Sequence, residues 1–468
     1  GPDNIRSLFR QSAQTNPAYA QHFVGGHIFG MPQAACASFL RDNTGTSAKP
    51  RPGTYIQPRN RICYRDHEIL RSMLQGQQLD DLTVKFSRLL YDRIGALPIG
   101  PDWIQMPDLF ALIATQITPL IIEMLCGPTL INVVNPDFVC TLWKFDHWVP
   151  TLAKKAPRCL FPEGYTIRDK LIASIKRWRL ATCSLEDGSP LKGCEGMSSK
   201  LNLLDVDGWD MDAIAASDLG LLWAYVNVLF DLIIWSPLVI MTLAYCIRSE
   251  CEHSINQRDT ASILDFELPT LLKKPLLQST FAETLRYRNH IFITRYPYPE
   301  DMRVNGWELP AKTVVMVCST VQHMDKTMWN TGPSGEHPVE TFYPERFLRY
   351  SSEKNAKLES RIDSVPGRRS GKQDSPDPDL KSSAQPIFSL KNLEGTWIRF
   401  GGGSQMCPGQ RLAKVEIFLS IALLVMHFDI ELTVPSKEMS VDWSHFGTGV
   451  AKPAYKLPFQ IRRRAASN

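Results

Sequence analysis

Phe400-Gly-Gly-Gly-Ser-Gln-Met-Cys-Pro-Gly409 combines a cluster of glycines, one cysteine and the approach to a long apolar segment. Glycines have no Cβ, so the backbone can come close to a bulky, flat partner at these positions. The apolar residues between 412 and 428 predict a helix directly after the stretch. A cysteine just before the amino end of a helix lies beside free N–H groups, which stabilise a thiolate, the form that binds metals. The stretch therefore predicts that Cys407 is a metal ligand.

Four residues of this stretch, Phe400, Gly403, Cys407 and Gly409, have the spacing Phe-x-x-Gly-x-x-x-Cys-x-Gly. This pattern resembles the haem-binding loop of the cytochromes P450, in which a cysteine thiolate binds the iron of haem b. The resemblance implies that Cys407 is the axial ligand and that the other three residues shape the haem site. It also implies that Gln405, two residues before the cysteine, contacts a haem propionate. A plain buried cysteine is the alternative, and the matching offsets argue against it.

Three charged residues upstream match a second feature of that family. Glu283 and Arg286 are three positions apart, so on a helix they share one face and can pair. Arg346 lies in the segment Phe-Tyr-Pro-Glu-Arg-Phe that spans residues 342–347. In the cytochromes P450 these elements form a buried cluster of three charges behind the haem, and the resemblance implies the same cluster here.

A further arginine, Arg295, follows the apolar stretch 291–293. In the cytochromes P450 an arginine at about this place binds a haem propionate, and a planar guanidinium suits a two-bond contact with a carboxylate. A solvated arginine at the end of a strand is the alternative interpretation.

Composition and charge narrow the class of protein. The chain has 468 residues, of which 44% are hydrophobic, so it can bury a large core. Its formal net charge of +4 is small for this length, so no nucleic-acid partner is expected. The 11 cysteines stand singly, without Cys-x-x-Cys pairs, which argues for reduced thiols and against disulfides or a zinc site.

Helical periodicity dominates the pattern of apolar residues. It predicts helices at residues 108–125, 137–152, 167–180, 212–245, 276–288 and 411–428. The fold is therefore expected to be mainly α with small β-sheets, and the resemblance implies the cytochrome P450 fold as a single haem-thiolate domain over residues 1–468. Residues 349–385 are rich in Ser, Lys, Asp and Pro, which predicts a flexible insertion.

The helix at 212–245 departs most from the family. In the cytochromes P450 the corresponding helix crosses the distal face of the haem and carries an acid–threonine pair that delivers protons. The flanking residues place Val228 and Leu229 at these two positions, and neither side chain can donate a proton. Asn227 is the nearest polar group, and a register shift of one residue would put it in the place of the acid. These three residues are the distal catalytic candidates.

Two reaction classes and one role without turnover stay open. Segments such as Trp-Lys-Phe-Asp at 143–146 resemble a branch of the family that holds sterol 7-hydroxylases, prostacyclin synthase and fungal biosynthetic enzymes. The resemblance implies a monooxygenase that oxidises a hydrophobic, terpenoid- or steroid-like molecule of secondary metabolism, with electrons from NADPH through NADPH–cytochrome P450 reductase. The first alternative is an isomerase or dehydratase that acts on an oxygenated or peroxide substrate without a reductase. The second is a haem-binding paralogue without turnover.

The amino terminus also departs from the family. The chain begins with Gly1-Pro2-Asp3, and its first residues contain no hydrophobic anchor or signal peptide. Members of the branch normally begin with a membrane helix, a hinge and the first strands. We therefore expect a chain that lacks the anchor and these strands, derived from a parent anchored in the endoplasmic reticulum membrane on its cytosolic face.

Overall fold

The structure is a computed structural model of the chain. It describes residues 1–186, 188–252, 267–332, 334–350, 386–434 and 440–465, with the backbone alone at residues 228–245. Helices make up most of the described elements, and the sheets are small. The expected mainly α fold with small β-sheets is confirmed.

The helices run from the amino terminus to a central helix near the carboxyl terminus. They are α1 (Pro2–Arg10), α2 (Ala18–Phe23), α3 (Gln33–Arg41), α4 (Ile62–Met73), α5 (Gly76–Gly95), α6 (Leu109–Cys126), α7 (Phe138–Ala153), α8 (Pro162–Thr182), α9 (Glu195–Ser199), α10 (Met211–Glu252), α11 (Leu268–Leu271), α12 (Pro275–Arg288), α13 (Ser319–His323) and α14 (Gln410–His427). The helices expected from periodicity match α6, α7, α8, α10, α12 and α14, of which α8 and α10 are longer than expected.

The strands are short and antiparallel. They are β1 (Ile104–Met106), β2 (Asn289–Arg295), β3 (Met302–Val304), β4 (Trp307–Leu309), β5 (Val315–Cys318), β6 (Leu348–Tyr350), β7 (Pro386–Phe388), β8 (Phe428–Leu432), β9 (Val441–Asp442), β10 (Thr448–Val450), β11 (Lys452–Pro453) and β12 (Phe459–Arg463). Within the described ranges they form sheets in the orders β1-β12-β8 and β10-β2-β5, and the pairs β3-β4, β6-β7 and β9-β11.

The centre of the core is α14. Its residues from 412 to 425 are almost all buried, because this helix is apolar on nearly every side. Both α5 and α10 pack against α14, and α10 also packs against α6, α8 and α12. The loop that precedes α14 is therefore attached to the most buried part of the fold.

Local sequence sets the ends of α6. Asp108 caps its amino end by accepting a hydrogen bond from the Phe110 N–H at 3.1 Å. At the carboxyl end Gly127 adopts a φ of +71°, a left-handed conformation that glycine allows. Among the described residues Leu109–Cys126 is the one helix long and apolar enough to cross a membrane, and 61% of that segment is buried in the core.

The expected insertion begins and ends at one two-stranded ladder. β6 pairs with β7, with Tyr350 opposite Pro386. This ladder packs beside α12. Residues 351–385 of the expected flexible insertion lie outside the described residues.

Candidate active site

Residues 400–409, here named the Cys407 loop, make a tight turn before α14. The backbone N–H of Cys407 donates to the Phe400 carbonyl at 3.0 Å and closes the loop. Gly401 and Gly403 adopt φ values of +74° and +69°, which side-chain-bearing residues rarely adopt. A Cβ at Gly403 would also clash with the Phe9 carbonyl oxygen. The turn itself thus requires glycine at these positions.

The thiol of Cys407 lies at the amino end of α14. The backbone N–H groups of Gly409 and Gln410 both donate hydrogen bonds to its sulfur. Burial raises the pKa of this thiol, whereas the two N–H groups and the charge of Arg399 oppose the rise. Cys407 is nevertheless an exposed residue, so the surrounding protein shields the sulfur only in part. Two N–H groups and one cation thus favour the charged form of the sulfur, against the effect of burial.

Arg399 is an additional cation that acts electrostatically on this thiol, and it is not among the residues expected from the sequence. Its guanidinium carbon lies 3.6 Å from the ring centroid of Trp397 and 4.1 Å from that of Phe400. Burial lowers the pKa of Arg399 well below its usual range, and Cys407 opposes that shift. The Nε atom is buried and has no hydrogen-bond partner within the described part of the chain. The sequence signal that could have identified Arg399 is its position directly before Phe400, the aromatic residue of the motif.

Arg295 ends β2 and reaches the same loop. Its Nη2 donates to the Gly402 carbonyl at 2.8 Å and its Nη1 donates to the Thr294 carbonyl at 2.8 Å. The residue is 4% exposed, and burial lowers its pKa to about 10. Its Nε is buried without a hydrogen-bond partner among the described residues. Arg295 is thus a buried cation rather than a solvated strand end.

The amino-terminal segment packs on the Cys407 loop, a contact that is not apparent from the sequence. The backbone N–H of Ser404 donates to Ser12 Oγ at 2.9 Å. The side-chain amide of Gln405 donates to Thr15 Oγ1 at 2.9 Å. The structure therefore places the Gln405 amide nitrogen against the amino-terminal segment.

Glu283, Arg286 and Arg346 come together in one buried cluster. Arg286 donates through Nε and Nη2 to the two carboxylate oxygens of Glu283, at 2.7 and 2.8 Å. Arg346 Nε donates to Glu283 Oε1 at 3.0 Å. All three residues are fully buried. The structure thus brings together the three residues that the sequence grouped.

Backbone carbonyls bind the remaining N–H groups of the two arginines. Arg286 Nη1 donates to the His323 carbonyl at 2.9 Å. Arg346 Nη2 donates to the carbonyls of Pro338 and Thr341, both at 3.1 Å. Burial lowers the pKa of Arg346 and its contact with Glu283 opposes that shift. The cluster fixes the chain around residues 323–346 against α12.

Helix α12 and the His323 side chain also anchor the residues that lead into the Cys407 loop. Trp397 Nε1 donates to the Ala282 carbonyl on α12 at 3.3 Å. The Ile398 N–H donates to His323 Nε2 at 3.3 Å. The loop is therefore held from α12 on one side and from α14 on the other.

The distal candidates Asn227, Val228 and Leu229 lie on α10. The side chains of Val228 and Leu229 lie outside the described residues. Asn227 Nδ2 donates to Asp146 Oδ1 at 2.8 Å, and Trp223 Nε1 donates to the same oxygen at 2.9 Å. Asp146 belongs to α7, so its partnership with Asn227 arises only in the folded chain.

Comparisons with known proteins agree with this fold. The family model described as Cytochrome P450 matches residues 246–459. A cytochrome P450 monooxygenase, efuG, of Hormonema carpetanum is 27% identical over 488 residues, covering 99% of this chain and 81% of the relative. Another cytochrome P450 monooxygenase, fsoE, of Humicola fuscoatra is 28% identical over 458 residues, covering 94% of this chain and 74% of the relative.

Solved structures share the architecture at low sequence identity. A retinoic acid-bound cyanobacterial cytochrome P450 superposes with a TM-score of 0.62 at 16% identity, covering 98% of this chain and 86% of that chain. Together with the sequence matches, this likeness confirms the family, the fold and the enzyme class that the motifs indicated. The narrower resemblance to the sterol 7-hydroxylase branch stays a prediction. The chain belongs to the cytochrome P450 family of haem-thiolate oxidoreductases.

Proposed function

We propose that this protein is a haem-thiolate monooxygenase that oxidises a hydrophobic, terpenoid- or steroid-like small molecule in secondary metabolism, with residues 1–468 as one haem domain. Fungal relatives named as cytochrome P450 monooxygenases align over 94–99% of the chain, which supports the reaction class. The observation that carries the proposal is the placement of the Cys407 sulfur beside two N–H donors at the amino end of α14.

The residues around the Cys407 loop fit a haem. Haem offers one metal and two propionate carboxylates. The loop supplies one sulfur with two N–H donors, and Arg295 and Arg399 each carry a buried Nε without a partner among the described residues. Arg295 is buried and Arg399 is partly buried, and within the described part of the chain neither pairs with a carboxylate. Two such cations match two propionates, because buried charges are normally paired.

Each residue has a defined role in this proposal. Cys407 would bind the iron, and the N–H groups of Gly409 and Gln410 would favour the thiolate form of its sulfur and temper its electron donation. Arg295 and Arg399 bind the propionates. When bound, a haem with a cysteinate ligand supplies the electron-transfer and dioxygen chemistry of the reaction. Glu283, Arg286 and Arg346 hold the chain in the geometry that this loop requires.

The same proposal includes an electron donor, a cellular location and a class of substrate. Electrons come from NADPH through NADPH–cytochrome P450 reductase. The parent protein is anchored in the endoplasmic reticulum membrane with this domain on the cytosolic side. The substrate is apolar, since haem pockets of this kind are lined mainly by hydrophobic side chains.

One feature favours a second candidate, an isomerase or dehydratase that uses no external electrons. Val228 and Leu229 stand where the family has its proton-delivering pair, and neither can donate a proton. A reaction that rearranges an oxygenated substrate would not need that pair. A haem-binding paralogue without turnover shares the same feature.

One series of measurements separates the three candidates. The purified holoprotein should show the thiolate-type absorption of the reduced carbon monoxide complex. Terpenoids, steroids, polyketides and indole alkaloids are then screened by spin-state change. Product from a spectral ligand with NADPH and reductase supports the monooxygenase, whereas conversion of a peroxide without NADPH supports the isomerase. A colourless protein without stoichiometric iron would overturn the proposal.

A further inference from the structure

A cleft opens between α6 and α7, and its walls are one face of each helix. It encloses about 940 Å³, and small-molecule sites in proteins measure roughly 300–1,000 Å³. Asp146 lies on a different face of α7 and contacts α10 through Trp223 and Asn227. Among the described residues none that lines the cleft belongs to α10 or to the Cys407 loop. The cleft is therefore separate from the haem site.

The interior of this cleft is apolar. The buried residues Ala114 and Ile131 line it, together with the half-buried residues Phe110, Pro119 and Trp143. The charged side chains of the lining carry both signs, and they are Arg93, Glu123, Asp137, Lys144 and Glu163. An ion of either sign would meet charges of its own sign there and would lose hydration to the apolar walls. The lining therefore favours a neutral molecule.

Trp143 forms an aromatic wall that is held in place from several sides. Its Nε1 donates to Thr118 Oγ1 on α6 at 3.2 Å. Its ring packs edge-to-face on Phe110, with ring centroids 5.4 Å apart at an angle of 73°. The Lys452 ammonium nitrogen lies 5.2 Å from the same ring centroid. The wall is thus formed before any ligand arrives, and a rigid ring system can pack on it at little cost in conformational entropy.

A hydrogen-bond acceptor lies on the α6 wall because this helix contains a proline. Pro119 has no N–H, so the carbonyl of Thr115 lacks its usual helical donor. The Thr115 hydroxyl is already turned back onto the helix, where it donates to the carbonyls of Ala111 and Leu112 at 2.9 and 3.0 Å. Both Thr115 and Pro119 line the cleft. The cleft therefore offers a main-chain oxygen to a ligand that carries a donor.

We infer that the cleft is a second binding site, which takes a neutral, rigid polycyclic molecule with a hydroxyl group, the chemistry of a hydroxylated steroid or terpenoid. The rings of the ligand pack on Phe110 and Trp143, and its hydroxyl donates to the Thr115 carbonyl. Binding in this cleft involves neither iron nor electrons. It goes beyond the proposed monooxygenase function and does not depend on it.

The experiment uses holoprotein in which clotrimazole occupies the iron, so that the haem site is closed to other ligands. The probes are radiolabelled testosterone and androstenedione, in which a ketone replaces the testosterone hydroxyl at one end of the same ring system. Equilibrium dialysis should show one bound testosterone per protein, held about threefold to tenfold more tightly than androstenedione, the worth of one hydrogen bond. No binding, or equal affinity for the two steroids, would overturn the inference.

Pro119→Ala tests the acceptor without removing a polar group. Alanine supplies the missing N–H, which occupies the Thr115 carbonyl within the helix. The preference for testosterone should disappear, because testosterone binds more weakly while androstenedione keeps its affinity. The melting temperature should rise, since proline is unfavourable inside a helix. An undiminished preference in this variant would overturn the inference.

Ala111→Trp fills the cleft from an exposed position of α6. It should weaken the binding of both steroids by about tenfold or more, because the added ring takes the space of the ligand. Val84→Trp is the matched control, since Val84 is 68% exposed on α5 and lies outside the cleft. If Ala111→Trp does not fold, Thr115→Trp fills the same space from the next turn. Parental affinity in either folded variant would overturn the inference.

Light scattering distinguishes a small ligand from a second copy of the chain. The parent protein should have the same mass in solution as Ala111→Trp. A parent dimer that Ala111→Trp converts to a monomer would show that another copy covers the cleft, and it would equally overturn the inference.

Discussion

Arg286 and Glu283 meet through two hydrogen bonds of 2.7 and 2.8 Å, with both side chains fully buried. The two residues are three positions apart on α12, a spacing at which exposed pairs contribute only a few tenths of a kcal/mol, about 0.2–0.5. Burial changes the balance, because a charge left without its partner in the interior costs about 3–5 kcal/mol. The pair therefore serves mainly to fix the local geometry. Removing one partner should lower the free energy of unfolding by far more than the intact pair contributes to it.

Arg286→Ala should accordingly give little soluble haem-containing protein, since Glu283 loses two of its donors. Soluble yield and haem content per polypeptide measure this. Arg71→Ala is the matched control, because Arg71 pairs with Glu68 at the same spacing and 2.7 Å on the surface. We expect no measurable change in that control. Normal haem loading of Arg286→Ala would count against the role of the cluster.

Cys407→Ser should abolish the thiolate-type absorption of the reduced carbon monoxide complex, because an oxygen replaces the sulfur at the metal. The measurement is the reduced carbon monoxide difference spectrum, normalised to haem content. Cys159→Ser should keep the band, since Cys159 is an exposed cysteine between α7 and α8. Persistence of the band in Cys407→Ser would refute the assignment of the ligand.

Arg295→Leu and Arg399→Leu should each weaken haem retention by about tenfold or more, because each removes a cation available to a propionate. The rate of haem transfer to excess apomyoglobin measures the loss. Arg411→Leu, at an exposed position in the first turn of α14, should leave the rate unchanged. Folded Arg295 and Arg399 variants that release haem at the parental rate would contradict the propionate assignment.

His290 should make the fold sensitive to acid. Burial lowers its pKa to about 4 from an ordinary value of 6.5, and the residue is 2% exposed. Between these values the unfolded chain binds one more proton than the folded chain. The contribution of this group to the free energy of unfolding is therefore complete above pH 6.5 and is lost as the pH falls toward 4. The loss amounts to roughly 3 kcal/mol over the window.

His290→Gln should flatten this acid dependence. The amide can replace the contact of His290 Nδ1 with Thr320 Oγ1, which spans 2.9 Å, but it does not titrate. Urea unfolding at several pH values between 4 and 7 provides the free energies. An equally steep pH dependence in the variant would assign the acid sensitivity to other groups.

The sequence predicts the Cys407 loop well because everything that defines this loop is local. Its glycines, cysteine and following apolar run lie within one stretch, and the turn and α14 form there as expected. α5 was missed although Leu82, Phe86 and Leu90 repeat every four residues, because many polar residues between them dilute the pattern. The same periodicity argument that found α6 would have found it.

Hydrogen bonds between polar residues that are far apart in the chain could not be predicted from the sequence. Asp146 and Asn227 are 81 positions apart, and no spacing rule connects them. Likewise, the contact of Thr15 with Gln405 joins residues 390 positions apart. Such pairs depend on how helices and loops cross in three dimensions. Sequence therefore indicates candidate haem-binding residues more completely than the residues that hold them in place.

The pairing of Tyr350 with Pro386 has a practical consequence for handling this enzyme. The two residues face each other in an antiparallel ladder, so residues 351–385 leave and rejoin the domain only a few ångström apart. A four-residue turn is therefore long enough to join Tyr350 to Pro386. Closing this smaller ring should recover about 2 kcal/mol of chain entropy. The same gap is a natural position for an affinity tag or a fused redox partner.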